Sequence, residues 1–397
     1  MRKLPGTTLF AALLAAAVLP APASAAGAES YVVLLQDGAA LSAFTADPAV
    51  AVTHRYESAV RGYAARMTPA TAARLARDPR VALVQRDGVA TIAAQSVPTG
   101  VDRVDAEVSP TARIDGVDER VDVDVAVIDT GVDLDHPDLN VHTAGAKNCS
   151  SGRSADDGNG HGTHVAGTIG AKDDANGVVG VAPGARVWPV RVLNNKGSGS
   201  FSDIVCGIDF VTAHAGEIEV ANMSLGGSGT DSACGSNRDA MHEAICRSVA
   251  AGVTYVVAAG NSAADSATFV PAAYDEVITV SALADFNGKP GGGAASTCRA
   301  DVDDTFADFS NYGADVDLIA PGVCILSTWK GGGYNTISGT SMASPHVAGA
   351  AALYKATHPT ASPAAVKSAL QAAGTSDWTT STDPDGTHEV LLNVATS

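Results

Sequence analysis

An α/β fold, in which a parallel sheet is flanked by helices and preceded by a small α+β unit, is what this sequence predicts. Three observations carry that reading. From residue 121 onward, short runs of β-branched and small apolar residues alternate with stretches of helical character, the signature of parallel strands buried between helices. Residues 30–87 carry a separate pattern of short strands and two helices. The composition also changes near residue 93: up to Ala93 there are nine Lys/Arg and six Asp/Glu, a net charge of +3, whereas the remainder carries −21 and all six cysteines.

In the small unit, residues 31–35 read as a strand, 41–46 as a short helix and 54–67 as two strands. A helix over 69–77 has Pro69 in its first turn, where the missing N–H costs nothing, and 81–85 is a final strand. This order suits an open, ferredoxin-like sheet backed by two helices. Residues 88–100 lack periodicity and read as a linker. In the large region, 121–129 begins with strict alternation and becomes a continuous apolar run. Helices are expected over 161–171, 202–214 and 341–356, and strands near 186–192, 219–224, 253–259, 277–281 and 317–320. Asn237 is the expected N-cap of a helix through Ala251, with Gly252 as its stop. In such sheets, active sites lie beyond the carboxyl ends of the strands.

Residues 1–25 read as a secretory signal peptide: Arg2 and Lys3 lead, an apolar run follows over 9–19, and Ala23-Ser24-Ala25 offers small residues for cleavage. The apolar run is too short to span a bilayer. An even number of cysteines in an exported chain points to disulfides, and no CxxC pair suggests zinc. Cys234 and Cys246 bracket a short helical segment, Cys298 and Cys324 flank a loop over 285–309, and Cys149 and Cys206 remain; pairing of these neighbours is the expectation. The overall charge of −18 argues against nucleic acid and anionic membranes as partners.

Four residues stand where chemistry is done. Asp129 ends the first buried strand in Val127-Ile128-Asp129-Thr130-Gly131, where a desolvated acid needs a cationic or N–H partner. His161 opens a helix between Gly160 and Gly162. Ser341 begins a helix in Gly339-Thr340-Ser341-Met342-Ala343-Ser344-Pro345, where its backbone N–H lacks an intrahelical acceptor and the dipole favours an anion. Asn261 follows Gly260 at a further strand end, able to donate to an oxyanion. Taken singly, each has a plain structural reading: a turn cap, a helix-start histidine, an N-cap, a turn amide. His161 and His164 could also be metal ligands, but there is no HExxH and no third ligand at a fixed offset, so His164 reads as structural.

Together, in the order Asp, His, Asn, Ser and in the segments VIDTG, HGTHVAG, MSLGG, AAGN and GTSMASPHVAG, these residues resemble the subtilisin family of serine proteases over residue 94 to the C-terminus. The resemblance implies a secreted, monomeric serine endopeptidase acting on protein and peptide substrates through an acyl-enzyme. Asp129, His161 and Ser341 would be its triad, Asn261 its oxyanion donor, and Ser224-Leu225-Gly226 the edge that pairs with substrate backbone. Residues 26–93 resemble the family's propeptide, a folding aid and inhibitor, with self-cleavage expected after Ala93. The resemblance further implies a structural calcium ion held by Gln95, Asp138 and Asp174 side chains and the carbonyls of Lys172, Asn176 and Val178. The segment after Asn261 is shorter than in the Bacillus subtilisins, which leaves the primary specificity pocket without an assigned floor; Phe269 is the candidate lining. The rival readings are a metal-dependent hydrolase using His161 and His164, and a non-catalytic binding protein.

Overall fold

The computed structural model describes residues 28–87 and 95–397. The chain forms two compact units, Met1–Ile92 and Ala93–Ser397. The expected signal peptide and the expected cleavage point at Ala93 lie outside the described residues.

In the first unit, four antiparallel strands stand in the order Ala51–Tyr56, Gly62–Met67, Glu29–Leu35, Val81–Arg86. Two helices, Ser42–Thr45 and Pro69–Leu75, accompany them. The second is capped by Thr68, whose hydroxyl oxygen accepts from the Thr71 N–H at 3.2 Å, with Pro69 at the first helical position as expected. Val33, Leu35, Phe44, Tyr63, Met67 and Leu75 form the core.

In the second unit, eight strands run parallel in the order Val390–Leu391, Leu318–Pro321, Ile278–Ala284, Thr254–Ala258, Val220–Met223, Asp124–Asp129, Arg186–Arg191, Lys147–Asn148, and Thr305–Phe306 adds an antiparallel partner to Ile278–Ala284. The central strands are buried on both faces, which is why their sequences read as continuous apolar runs. Successive residues still alternate between two cores. Val125 and Val127 face one, with Val165 and Ile169 of the helix His161–Gly170, Val347 and Leu353 of the helix Thr340–Thr357, and Leu370 of the helix Pro363–Ala373. Ala126 and Ile128 face the other, with Ile204, Ile208 and Val211 of the helix Phe201–Ala213 and Met241 and Ile245 of the helix Ala240–Ala250.

Three sequence expectations need correction. Asn237 does not cap the helix Ala240–Ala250. Asp239 does, its carboxylate accepting the Met241 and His242 N–H groups, while Asn237 sits in a left-handed turn at φ 55°. Gly252, at φ 107°, follows that helix where its stop was expected. The linker ends earlier than expected, because Thr99–Arg103 is already helical. The long small-residue helix starts at Thr340, so Ser341 lies inside its first turn and is not the N-cap. Among the described elements that escaped sequence reading are the helix Pro363–Ala373, the hairpin Ile325–Trp329 with Gly333–Ile337, and the short strands Lys147–Asn148, Thr305–Phe306 and Val390–Leu391.

The disulfides join Cys149 to Cys206, Cys234 to Cys246 and Cys298 to Cys324, the neighbour pairing expected. The Asp-rich loop between residues 285 and 309 is built around its own acids. Asp303 accepts the Phe286 and Ala294 N–H groups, Asp304 the Gly292 N–H and Asp285 the Gly288 N–H. The buried Arg103 guanidinium meets Asp304 at 3.0 Å and Asp285 at 3.3 Å. Among the described residues, no helix is long and apolar enough to cross a membrane.

Candidate active site

Asp129 is the last residue of its strand and has no solvent exposure. Its Oδ1 accepts from the Thr130 N–H at 2.6 Å and from the His161 Nδ1–H at 2.8 Å. The second contact requires the helix His161–Gly170 to start close to the strand end. Gly162 permits this, because a Cβ there would stand 2.1 Å from the Gly131 carbonyl oxygen. Gly160 serves similarly: it has φ 116°, and the Trp329 ring occupies the place a side chain would take.

The donors at this helix start converge on Asp157, which sequence reading missed. Its Oδ1 accepts from Thr130 Oγ1–H and from the Asn159 and Gly160 N–H groups, each at 2.9 Å. Its Oδ2 accepts from the Thr163 N–H at 3.0 Å and Thr163 Oγ1–H at 2.6 Å. The only signal for it was an Asp four residues before the glycine-flanked helix start at His161. Burial alone would pull the His161 imidazole down, but the Asp129 charge and hydrogen bond outweigh it and hold the group above its ordinary value.

His164 has a different environment. It is fully buried, its Nε2–H donates to the Ile325 carbonyl at 2.9 Å, and burial pushes it down to about 3. It is a neutral histidine tying the helix to the hairpin, as the structural reading expected.

Ser341 Oγ–H donates to the Ser224 carbonyl at 3.3 Å. The Ser224 hydroxyl in turn donates to the Ser341 carbonyl at 2.8 Å. That carbonyl is free because Pro345, four residues on, has no N–H to complete the helical bond. A proline that would otherwise only weaken the helix thus opens a site where the strand end is tied to Ser341. Asn222, fully buried, continues the tie: its Nδ2–H donates to Ser224 Oγ at 2.9 Å and its Oδ1 accepts from Ser344 Oγ–H at 2.7 Å.

Asn261 is oriented by Thr340, also missed in the sequence. The Thr340 N–H and Oγ1–H both donate to Asn261 Oδ1, at 2.8 and 2.9 Å. A backbone N–H can only donate, so the amide oxygen is fixed on Thr340 and the NH₂ is turned outward as a donor. His161 and Ser224-Leu225-Gly226 border one cleft of about 530 Å³. The Phe269 ring lies against Gly226 and Gly260, since a Cβ on Gly226 would stand 2.4 Å from it and one on Gly260 3.1 Å.

The expected calcium ligands occupy a second cluster. Asp138 is buried; its Oδ2 accepts the Val178 N–H at 2.9 Å, while Oδ1 is buried without a partner. Gln95 Oε1 accepts the Ala175 N–H at 2.9 Å and its Nε2 donates to the buried Asp173 at 2.6 Å. Asp174 Oδ1 accepts the Asn176 N–H at 3.1 Å. The chain from Lys172 to Val178 wraps this corner, with the Lys172 N–H donating to the Asp138 carbonyl.

Comparison with known proteins agrees with this architecture. The subtilase family model matches residues 121–388, and the peptidase inhibitor I9 model matches residues 22–93. An extracellular serine proteinase of Thermus sp. (strain Rt41A) is 42% identical over 321 residues, covering 79% of this chain and 71% of its own. Subtilisin NAT of Bacillus subtilis subsp. natto is 39% identical over 304 residues, 76% of this chain and 72% of that one. The crystal structure of a cold adapted subtilisin-like serine proteinase superposes with a TM-score of 0.56 at 32% identity, covering 75% of this chain and 97% of that one. A parallel sheet with strand-end chemistry, an inhibitor-type unit ahead of it and these relatives together place the chain in the subtilase family of serine proteinases, enzymes that hydrolyse peptide bonds.

Proposed function

We propose that this chain is an extracellular serine endopeptidase that works through Ser341, His161 and Asp129, and that its inhibitor I9 unit restrains it until it is cut away. The observation that carries the reading is the 2.8 Å hydrogen bond from His161 Nδ1–H to the buried Asp129, at the mouth of the cleft bordered by Ser224-Leu225-Gly226. With Nδ1 committed as a donor, Nε2 is left as the basic nitrogen facing solvent and substrate. Ser341 Oγ attacks the scissile carbonyl carbon while its proton passes to Nε2, and the resulting imidazolium is stabilised by Asp129. Asn261 Nδ2–H and the Ser341 N–H donate to the oxyanion that forms. Collapse of this intermediate expels the amine, protonated from Nε2, and leaves an acyl ester on Ser341. Water, deprotonated by the same nitrogen, then hydrolyses it. Ser224-Leu225-Gly226 offers a backbone edge to which an extended substrate adds as a strand, with Phe269 bounding the space for its side chain.

The same reading takes residues 1–25 as a signal peptide, removed on export, and residues 26–93 as the inhibitory unit, released by self-cleavage after Ala93. A structural calcium ion belongs to it too. The buried, unpartnered Asp138 Oδ1 suits a hard cation, and the Asp174 and Gln95 oxygens with the Lys172, Asn176 and Val178 carbonyls would complete an oxygen-only ligand set. Such an ion supplies stability to the loop and takes no part in the chemical step. The test is processing of purified Ser341→Ala. It should accumulate as a precursor still carrying residues 31–93 and should not react with a serine-directed phosphonyl fluoride, whereas the parent matures and binds one equivalent. Normal maturation of Ser341→Ala, with no other protease present, would remove the self-cleavage step.

A further inference from the structure

The carboxyl end of the chain turns through Asp383-Pro384-Asp385-Gly386-Thr387-His388-Glu389 before entering the edge strand Val390–Leu391. Two acids of this loop are unusually enclosed: Asp383 is 8% exposed and Glu389 6%. Their carboxyl groups are neighbours, and Asp385 adds its charge to both. Part of the acid inventory is used locally. Asp383 Oδ1 accepts the Asp385 N–H at 3.3 Å, and Asp385 Oδ1 the Thr387 N–H at 2.6 Å, around Gly386 at φ 75°. The remaining oxygens are not: Asp383 Oδ2 and both Glu389 carboxylate oxygens are buried and receive no donor from the fold, the two carboxyl groups meeting only each other. His388 is the nearest cationic side chain, with Nδ1 3.6 Å from Asp383 Oδ2, too long for a hydrogen bond, and its ring is well exposed. No Arg or Lys forms an ion pair with these acids among the described residues.

Two adjacent carboxylates withdrawn from water with three unmatched oxygens need either a proton between them or a cation. We propose that Asp383 and Glu389 bind a divalent cation, calcium, beside Asp385. The unmatched ligand atoms are all oxygens, and Glu389 offers both of its own for bidentate ligation; hard oxygen sets of this kind suit calcium. The chain's charge of −18 favours any such cation. The site uses none of the residues around Asp138 and does not depend on the peptidase reading. Its consequence is local. Trp378 Nε1–H donates to the Glu389 carbonyl at 3.2 Å, and Trp378 packs with Leu283, Phe306, Ile319 and Leu391. A cation held by Glu389 therefore fastens the edge strand and this small core together.

The experiment uses the full chain carrying Ser341→Ala, which prevents self-digestion, freed of metal by chelation. Calorimetric titration with calcium is compared among that protein, the same with Glu389→Gln, and the same with Asp138→Asn. Glu389→Gln should lose one bound calcium, and Asp138→Asn should retain that event. In the Asp138→Asn protein, where no ion sits beside Tyr334, terbium, a luminescent stand-in for calcium, should show emission sensitised by Trp378 that disappears when either Glu389→Gln or Trp378→Phe is added. Should Glu389→Gln fail to fold, Asp383→Asn and the Trp378→Phe emission carry the test. Undiminished calcium binding in both carboxylate variants, retention of the emission in Trp378→Phe, or binding of zinc but not calcium would overturn the proposal. A gain in calcium-free melting temperature in Glu389→Gln, with calcium stoichiometry unchanged, would identify a shared proton instead and overturn it equally.

Discussion

Asp157 and Asp138 are both buried acids at turns beside the helix His161–Gly170, yet their surroundings are opposite. Asp157 receives five donors, from Thr130, Asn159, Gly160 and Thr163, so both oxygens are matched by dipoles that the fold itself supplies. Asp138 keeps one oxygen buried and unpartnered, and burial pushes its carboxyl up to about 7, against the pull of the Val178 N–H and the Tyr334 hydroxyl. Asp129 stands between them: Oδ1 is matched by the Thr130 N–H and His161, while Oδ2 is buried and unmatched. A fully donated carboxylate is a fixed part of the scaffold. In the proposed function, the half-donated ones are those that face a changing partner: Asp129 the imidazole of His161, and Asp138 a calcium ion.

The largest effect should come from breaking the saturated member. Asp157→Ala strands buried N–H and hydroxyl donors at the start of the His161 helix, each costing about 1–3 kcal/mol. A total loss of at least about 3 kcal/mol is expected, read as a lower denaturant midpoint of the Ser341→Ala protein. Because the same donors set the approach of His161 to Asp129, kcat should fall by up to about 100-fold, the scale of an ångström-sized misplacement, with little change in KM. A stable Asp157→Ala enzyme with parental kcat would mean that Asp129 and the glycines position His161 unaided.

A smaller, conditional effect should follow at the unsaturated member. A ligand that binds only the folded state stabilises it by about 2.7 kcal/mol when present at 100 times its dissociation constant. Added calcium should therefore raise the melting temperature of the parent, and Asp138→Asn should lose most of that gain while keeping near-normal kcat at low temperature. Equal calcium-induced shifts in both proteins would take Asp138 out of the ligand set.

These contrasts explain which parts of the molecule the sequence revealed. Strands buried on both faces were legible because burial dictates composition, whereas Asp129, His161, Asn261 and Ser341 stood out only together, through motifs that resemble the subtilisin family, since each alone reads equally well as a turn, cap or helix-start residue. Asp157, Asn222 and Thr340 were not. Asn222 and Thr340 matter through contacts to residues far along the chain, such as the Thr340 N–H to Asn261, and Asp157 through the local donors it gathers with Thr130, so a polar residue in the sequence looks the same whatever it touches. Asn237 misled for a related reason. It is a good cap by type, but Asp239 two residues later is equally good, and only packing of Met241 and Ile245 against the sheet selects the helix start. The edge strand Val390–Leu391 is too short for periodicity to mark it.

The smallest effect concerns Asp129 and is read as pH dependence. A general base acts only when neutral, so kcat/KM should rise as pH climbs through the His161 pKa. Burial lowers that pKa and the Asp129 charge and hydrogen bond raise it, with a net upward result, so the acid limb should lie above the ordinary imidazole value of about 6.5. Asp129→Asn removes its charge and leaves burial opposed only by Asp157, so the residual activity should show the limb displaced to lower pH. The stability sign follows from linkage. A pKa raised in the folded state means that protonated His161 stabilises the fold fully below about pH 6.5, and that this contribution is lost as pH rises through the folded value. The Ser341→Ala protein should accordingly show a small fall in melting temperature across that interval, absent when Asp129→Asn is added. An acid limb at the same pH with and without the Asp129 charge would show that the half-donated carboxylate holds the imidazole in place without tuning it.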